Sequence, residues 1–281
     1  MEKSTAAQAD FCFVHFTDTH IMAGGVHPPT QVDTRACLRQ VIDVLNALEP
    51  RPAFAVIGGD LVSPSWLAPS SMLTPEDYAP SYLLFQELLR PLQYPVYMLL
   101  GNNDNRRAFH QVMQTAAASP DAPYHYAFDH HGYHFVLLDS HQPGQNWGRI
   151  DAVQLTWLQE DLTTHRGQPT FVFLHHHPWS LGIPWIDAMD LQNGEELVSV
   201  LRQYPDVRWI ICGHVHMDHM VQREGLTMLT TPSTCVQVTK LAQERKKALA
   251  GPPGIRLVWV KGTEVSTRVI HLHREEVASL A

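Results

Sequence analysis

Cysteine is scarce in this chain, with only Cys12, Cys37, Cys212 and Cys235 in 281 residues. None stands in a CxxC pair, which excludes a zinc knuckle or a thioredoxin-type redox motif. They read as buried or incidental thiols of a reducing compartment. Long apolar runs are lacking as well, since no stretch reaches the length needed to span a bilayer. Residues 1–10 carry no basic segment followed by an apolar one, as a secretion signal would. A cytoplasmic location without a membrane partner is therefore expected. Positive charge is in deficit: 20 Lys and Arg stand against 28 Asp and Glu, a formal net charge of −8. A chain of that sign has no broad attraction for nucleic acid or anionic lipid. A phosphate-bearing substrate would need a local attracting charge, which points to a bound cation.

Histidine, by contrast, is abundant, with 18 residues. Most histidines in any protein are surface or packing residues, so only the clustered ones carry weight here. Around them the chain alternates short apolar runs with amphipathic stretches. Runs rich in β-branched and aromatic residues predict buried strands at 11–17, 53–57, 96–100, 135–138, 170–174 and 207–212. The stripe Leu38, Val41, Ile42, Leu45 and Leu48 predicts a helix over 33–48, capped by Asp33 or Thr34. Helices are also expected at 151–162 and 194–204. From about residue 225 the chain turns β-rich, with strands predicted at 225–231, 235–239, 255–261 and 264–271. The Pro- and Ser-rich segment 63–80 reads as a long loop or lid insertion, and the polar segment 240–254 as a second loop. No repeat or linker divides residues 1–281, so one α/β domain is expected, either α/β/α or a β-sandwich flanked by helices.

Five blocks stand where apolar runs end: Asp18-Thr19-His20, Gly59-Asp60, Gly101-Asn102-Asn103-Asp104, His175-His176-His177-Pro178 and Gly213-His214-Val215-His216. Taken singly, each has an ordinary structural reading. In this order, at successive strand ends, they point to a metal centre. Ligands at i and i+2 on an extended backbone project to one side, so Asp18 with His20, and His214 with His216, can each clasp a cation. Carboxylate, amide and imidazole ligands without a thiolate suit Mn, Fe, Zn or Co. A pair of divalent ions, only partly neutralised by Asp18 and Asp60, would supply the local positive charge.

These blocks resemble those of the calcineurin-like metallophosphoesterase superfamily: D-x-H, GD, GNH(D/E), H and GHxH. Further stretches resemble the class III cyclic-nucleotide phosphodiesterases. They are Leu138-Asp139-Ser140 with Pro143-Gly144, then His175 through Trp185-Ile186-Asp187 to Asn193, residues 231–237, and the Pro-Gly-Ile-Arg of 253–256. The resemblance implies a four-layer α/β/β/α sandwich with two metals at the C-terminal ends of the strands. It implies that Asp18, His20 and His216 hold one ion, that Asn102, His175 and His214 hold the other, and that Asp60 bridges them. His176 is the rival to His175. The implied reaction is hydrolysis of a small phosphodiester, a 3′,5′-cyclic nucleotide first, by a hydroxide bridging the ions. Glycerophosphodiesters, 2′,3′-cyclic nucleotides and other phosphoesters are the alternatives, and a homo-oligomer is left open.

One position departs from the pattern. Asn103 stands where the family has a histidine that protonates the leaving oxygen or steadies the phosphoryl group. An amide does not titrate near neutral pH, so activity on poor leaving groups is expected to fall. A catalytically weakened metal-binding scaffold is the reading in another class. Beside the ligands, Asp104 is expected to orient an imidazole or cap a helix, and His176 or His177 to support the ligands or donate a proton. Arg106 and Arg107 either reach a phosphate or stay solvated. Trp179, Trp185, Asp187 and Asn193 either line a substrate pocket or pack the core, and Trp66 and Tyr78 are lid candidates.

Overall fold

The structure, a computed structural model, describes residues 10–238 and 248–272. Residues 1–9, the last residue of the strand predicted at 235–239, and 240–247 of the predicted loop lie outside the described residues. In chain order the elements begin with β1 (Phe11–Phe16), α1 (Thr34–Ala47), β2 (Ala55–Ile57), α2 (Pro75–Leu89), β3 (Val96–Met98) and α3 (Arg106–Met113). There follow β4 (Tyr126–His130), β5 (Tyr133–Leu137), α4 (Ala152–Thr164), β6 (Thr170–Leu174), α5 (Pro184–Asp187), α6 (Gly194–Leu201) and β7 (Val207–Cys212). The chain continues with β8 (His219–Arg223), β9 (Leu226–Thr230), β10 (Val236–Val238), β11 (Ala248–Ala250), β12 (Gly254–Lys261) and β13 (Glu264–His271).

Two large mixed sheets result, a five-stranded one ordered β13-β12-β1-β2-β3 and a six-stranded one ordered β4-β5-β6-β7-β9-β8. Alternation along the strands dictates how they pack. On β1, Phe13 enters a core shared with Phe135, Phe171 and Phe173 of the other sheet, while Val14 and Phe16 face a second core with α1, α2 and α3. On β6, Phe171 and Phe173 point inward, while Val172 and Leu174 pack under α4 and α6. The layers are therefore helix, sheet, sheet, helix, the four-layer sandwich. Each fully buried Phe in the central layer contributes about 1.5–3 kcal/mol by leaving water.

The helix predicted at 33–48 forms as α1, and Asp33 is its cap, accepting from the N–H groups of Arg35 and Ala36. The segment 63–80 is not one long loop. It contains two short 3₁₀ turns, Pro64–Trp66 and Ser70–Met72, and then α2 begins at Pro75. Thr74 and Asp77 form a capping box and Pro75 occupies the first helical position, where its missing N–H costs nothing. The proline content that suggested a loop was in part a helix start. In the described part of 240–254, β11 pairs antiparallel with β10.

Candidate metal centre

The five blocks leave the C-terminal ends of β1, β2, β3, β6 and β7, which the parallel pairing β1-β2-β3 and β5-β6-β7 brings to one end of the sandwich. Their backbone is not extended. Asp18, His20, Asp60, His214 and His216 have φ values of 56°, 45°, 50°, 70° and 52°. The convergence expected from extended i, i+2 pairs is instead made by left-handed residues, each of which bends the chain sharply. Non-glycine residues there cost on the order of 1–3 kcal/mol and persist only when the surroundings fix them. Here Asp18 N–H donates to Gly59 O, and His20 N–H to Asp60 O. Gly213 is required by closeness: a Cβ there would lie 2.2 Å from Thr17 Oγ1.

Three groups of ligand atoms converge: Asp18 with His20 and His216; Asp18 with Asp60 and His175; and His175 with His176 and His214. His216 Nε2 lies 3.1 Å from both Asp18 Oδ1 and His20 Nε2. Asp60 Oδ2 stands between the two sides, 3.8 Å from His20 Nε2 and 3.5 Å from His175 Nε2. The far ring nitrogens are already engaged. His175 Nδ1 donates to Gly58 O at 2.8 Å, His216 Nδ1 donates to Val236 O, and His20 Nδ1 meets Ser63 Oγ at 2.6 Å. With its proton held on Nδ1, an imidazole turns the Nε2 lone pair inward, the usual support of a metal ligand.

The donor set fits divalent metal ions. Asp18 Oδ1, Asn102 Oδ1, His175 Nε2, His176 Nε2 and His214 Nε2 are all buried without a hydrogen-bond partner among the described residues. Buried polar atoms are rarely left so, and five at one spot call for a cation. The electrostatics agree. Burial opposes ionisation of Asp60, but His175 and His20 outweigh it and hold its carboxyl well below the usual range. Burial likewise opposes the charge on His175, yet Asp60 and Asp18 push its pKa up to about 9. Burial and the neighbouring imidazoles keep His214 and His176 neutral.

Asn103 is tied to the bridging position. Its backbone N–H and its side-chain Nδ2 donate to the two oxygens of Asp60, at 2.8 and 2.7 Å. Ser65 Oγ donates to Asn103 Oδ1 at 3.0 Å, which fixes which end of the amide faces Asp60. Asp104 neither orients an imidazole nor caps a helix; Asn105 caps α3. Asp104 instead accepts from the N–H groups of Leu61, Val62 and Gly101 and from the Tyr82 hydroxyl, so it knots two ligand loops together. Desolvation, with Asp60 nearby, raises its pKa to about 7. His176 Nδ1 meets Ser140 Oγ at 2.8 Å, and His177 Nε2 lies 3.7 Å from Asp187 Oδ1.

Several substrate candidates sit elsewhere. Arg107 pairs with Asp121 at the surface, and Arg106 binds Asp139 and His141 O. Asn193 bonds the backbone of Ile150 through both ends of its amide, and Trp179 is buried in the core beside α6. Asp187 organises the turn before α5 by accepting from Leu181 and Ile183 N–H. Trp185 does line the pocket of about 560 Å³ above the ligands, as do Trp66 and Tyr78. The Trp66 ring stacks on His20 with centroids 4.0 Å apart. Ser63 and Ser65 touch site residues, but a lone serine carries no sequence signal; Ser140, which meets His176, belongs to the Leu138-Asp139-Ser140 stretch.

A layered sandwich with imidazoles, carboxylates and an amide gathered at its strand ends is the arrangement of a metal-dependent phosphodiesterase. The chain belongs to the calcineurin-like phosphoesterase family, whose model matches residues 12–218. It is 30% identical over 232 residues to the 3′,5′-cyclic adenosine monophosphate phosphodiesterase CpdA of Escherichia coli (strain K12), covering 83% of this chain and 79% of that one. It is 29% identical over 227 residues to the glycerophosphodiester phosphodiesterase GpdQ of Enterobacter lignolyticus, covering 80% of this chain and 77% of that one. Among solved structures, a dimetal phosphatase from Danio rerio shares the fold, with a TM-score of 0.64 at 17% identity over 93% of this chain and 99% of that one. No helix among the described residues is long and apolar enough to cross a membrane.

Proposed function

We propose that this chain hydrolyses a 3′,5′-cyclic nucleotide at a binuclear centre. Asp18, His20 and His216 hold one divalent ion, Asn102, His175 and His214 hold the other, and Asp60 lies between them. The observation that carries this reading is the position of Asp60 Oδ2, within 4 Å of imidazoles from both halves of the site. His175 is preferred to His176 because it alone of the two faces both carboxylates. When bound, such an ion pair polarises the phosphoryl oxygens and makes water nucleophilic near neutral pH.

The chain's own residues set the rest. Asn103 holds the Asp60 carboxylate in orientation and hands no proton to a departing oxygen. Strained or activated diesters suffer least from that, and a 3′,5′-cyclic phosphate is a strained diester. Trp66 and Trp185 give the pocket aromatic surface of the kind that stacks on a purine. The pocket volume of about 560 Å³ suits one small ligand. The cyclic-nucleotide activity named for the E. coli relative supports this substrate; the GpdQ relative supports a second reading, a glycerophosphodiester, at the same site.

A panel of 3′,5′-cyclic AMP, 2′,3′-cyclic AMP and a glycerophosphodiester, assayed with added Mn²⁺, tests the proposal. The highest kcat/KM is expected on 3′,5′-cyclic AMP, and Asp60→Ala should abolish every activity. A preference for the glycerophosphodiester would install the second reading. Folded, metal-loaded protein that turns over none of them, nor bis(p-nitrophenyl) phosphate, would leave only a metal-binding scaffold.

A further inference from the structure

The far edge of the six-stranded sheet carries another group of ligand-type side chains. Asp129 on β4 is the register partner of His134 on β5, and α4 lays Asp161 and its C-cap His165 over the same spot. His134 is buried, with Nδ1 2.7 Å from Asp129 Oδ1 and Nε2 2.7 Å from Asp161 Oδ2. His165 Nδ1 donates to the main-chain oxygen of Asp161 at 2.8 Å. A carbonyl only accepts, so the proton is fixed on Nδ1, and in the neutral ring Nε2 bears the lone pair. Nε2 lies 3.9 Å from Asp129 Oδ2. That is too long for a hydrogen bond and somewhat longer than the about 3.3 Å between two ligands of a tetrahedral zinc.

Charge leads to the same place. Within this group two carboxylates face one imidazolium, which leaves a negative charge uncompensated. A divalent cation in place of the proton on His134 Nδ1 closes the balance, the proton passing to solvent. We propose that Asp129, His134 through Nδ1 and His165 through Nε2 form a zinc site separate from the phosphodiesterase centre. Their ligand atoms all lie within 4.8 Å of one another. The outward N–H of each ring is already bonded to Asp161, through its carboxylate for His134 and its carbonyl for His165, which is how ligand imidazoles are held.

Binding requires two adjustments. The contact between His134 and Asp129 opens to about 3.3 Å, the ligand–ligand distance of a tetrahedral zinc. His165, stacked on His134 with centroids 3.8 Å apart, turns out of the stack to aim its lone pair. Asp129 and His165, 51% and 25% exposed, have the room to move, and solvent completes the coordination. The ion would join β4, β5 and the end of α4, pinning an edge strand whose outer side has no partner strand among the described residues.

Elemental analysis of zinc-loaded, desalted full-length protein tests the site. Asp129→Asn and His165→Gln should each retain one equivalent of zinc less than wild type, with turnover of bis(p-nitrophenyl) phosphate unchanged. Wild-type crystals should show anomalous zinc density between the three side chains. Asp60→Ala should keep this zinc, which separates failure of this site from failure of the phosphodiesterase reading. Equal zinc in wild type and variants, or no anomalous peak, overturns the proposal and leaves an ion group held by a proton. The wild-type crystal decides the matter if a variant fails to fold.

Discussion

At the scale of single residues, Asn103 and His175 set the chemistry apart. Asn103 faces Asp60 with an amide that cannot act as an acid, and general acid help is worth about 10²–10⁴-fold. Asn103→His should therefore raise turnover of an unactivated alkyl diester by about 10²-fold, while p-nitrophenyl substrates change by less than about threefold. Steady-state kinetics on both substrates checks this, and equal or lower turnover of the alkyl diester would count against it. His175 makes a separate prediction. Burial disfavours its charge, but Asp60 and Asp18 raise its pKa to about 9, so the metal-free protein holds a proton there at neutral pH. A metal must displace that proton. Apparent affinity should rise about tenfold per pH unit up to about pH 9 and level off above it. Calorimetric titration with Mn²⁺ between pH 6.5 and 10, in buffers of different ionisation enthalpy, should show one proton released per ion taken up at that position well below pH 9, falling towards none at pH 10.

At the scale of elements, α2 shows how a helix remote from the chemistry supports it. Its Tyr82 hydroxyl donates to Asp104 at 2.9 Å and accepts from Asn105 N–H at 3.0 Å, and Asp104 in turn holds the loops bearing Asp60 and Asn102. Tyr82→Phe takes its partner from the half-buried Asn105 N–H and one donor from the buried Asp104, at a cost of about 1–3 kcal/mol. Urea unfolding should show that loss, with kcat at saturating metal little changed; a collapse of kcat without a stability loss would contradict a supporting role. Neither this helix nor its contact was legible in the sequence reading. Thr74, Pro75 and Asp77 make the helix start in the structure, but Pro64, Pro69 and Pro80 in the same stretch suggested a loop. The strands carrying the ligands were easier, because buried strands are short apolar runs whose ends the glycines mark.

At the scale of the whole molecule, the two sheets are joined by an apolar layer and, near the metal end, by Arg256. This buried residue of β12 binds Thr230 O at 2.7 Å, Thr231 Oγ1 at 3.3 Å and Asp218 Oδ1 at 2.6 Å, all beyond β12's own sheet. Thr231 also meets His15 Nδ1 at 2.7 Å, so the clamp reaches the layer beneath Asp18. Arg256→Ala should cost about 2–3 kcal/mol, discounted because Asp218 is half exposed. At this chain length that lowers Tm by about 3–5 °C, measurable by calorimetry. Arg256→Lys should rescue little, since an ammonium cannot reach several fixed acceptors in a planar fork.

The sequence by itself singled out the residues proposed to hold the metals. Asp18, His20, Asp60, Asn102, His175, His214 and His216 lie next to the strands that position them, so ligand type and local spacing survive in one dimension. Tertiary structure decided how those ligands converge, through left-handed backbone that spacing cannot reveal. It also decided what surrounds them. Ser65 reaches Asn103 across 38 positions, Arg256 reaches Asp218 across 38, and Arg106 turns to Asp139 while its neighbour Arg107 turns to Asp121. Such partners are chosen by packing of distant segments, and the identity of a serine or arginine does not say where its side chain will point.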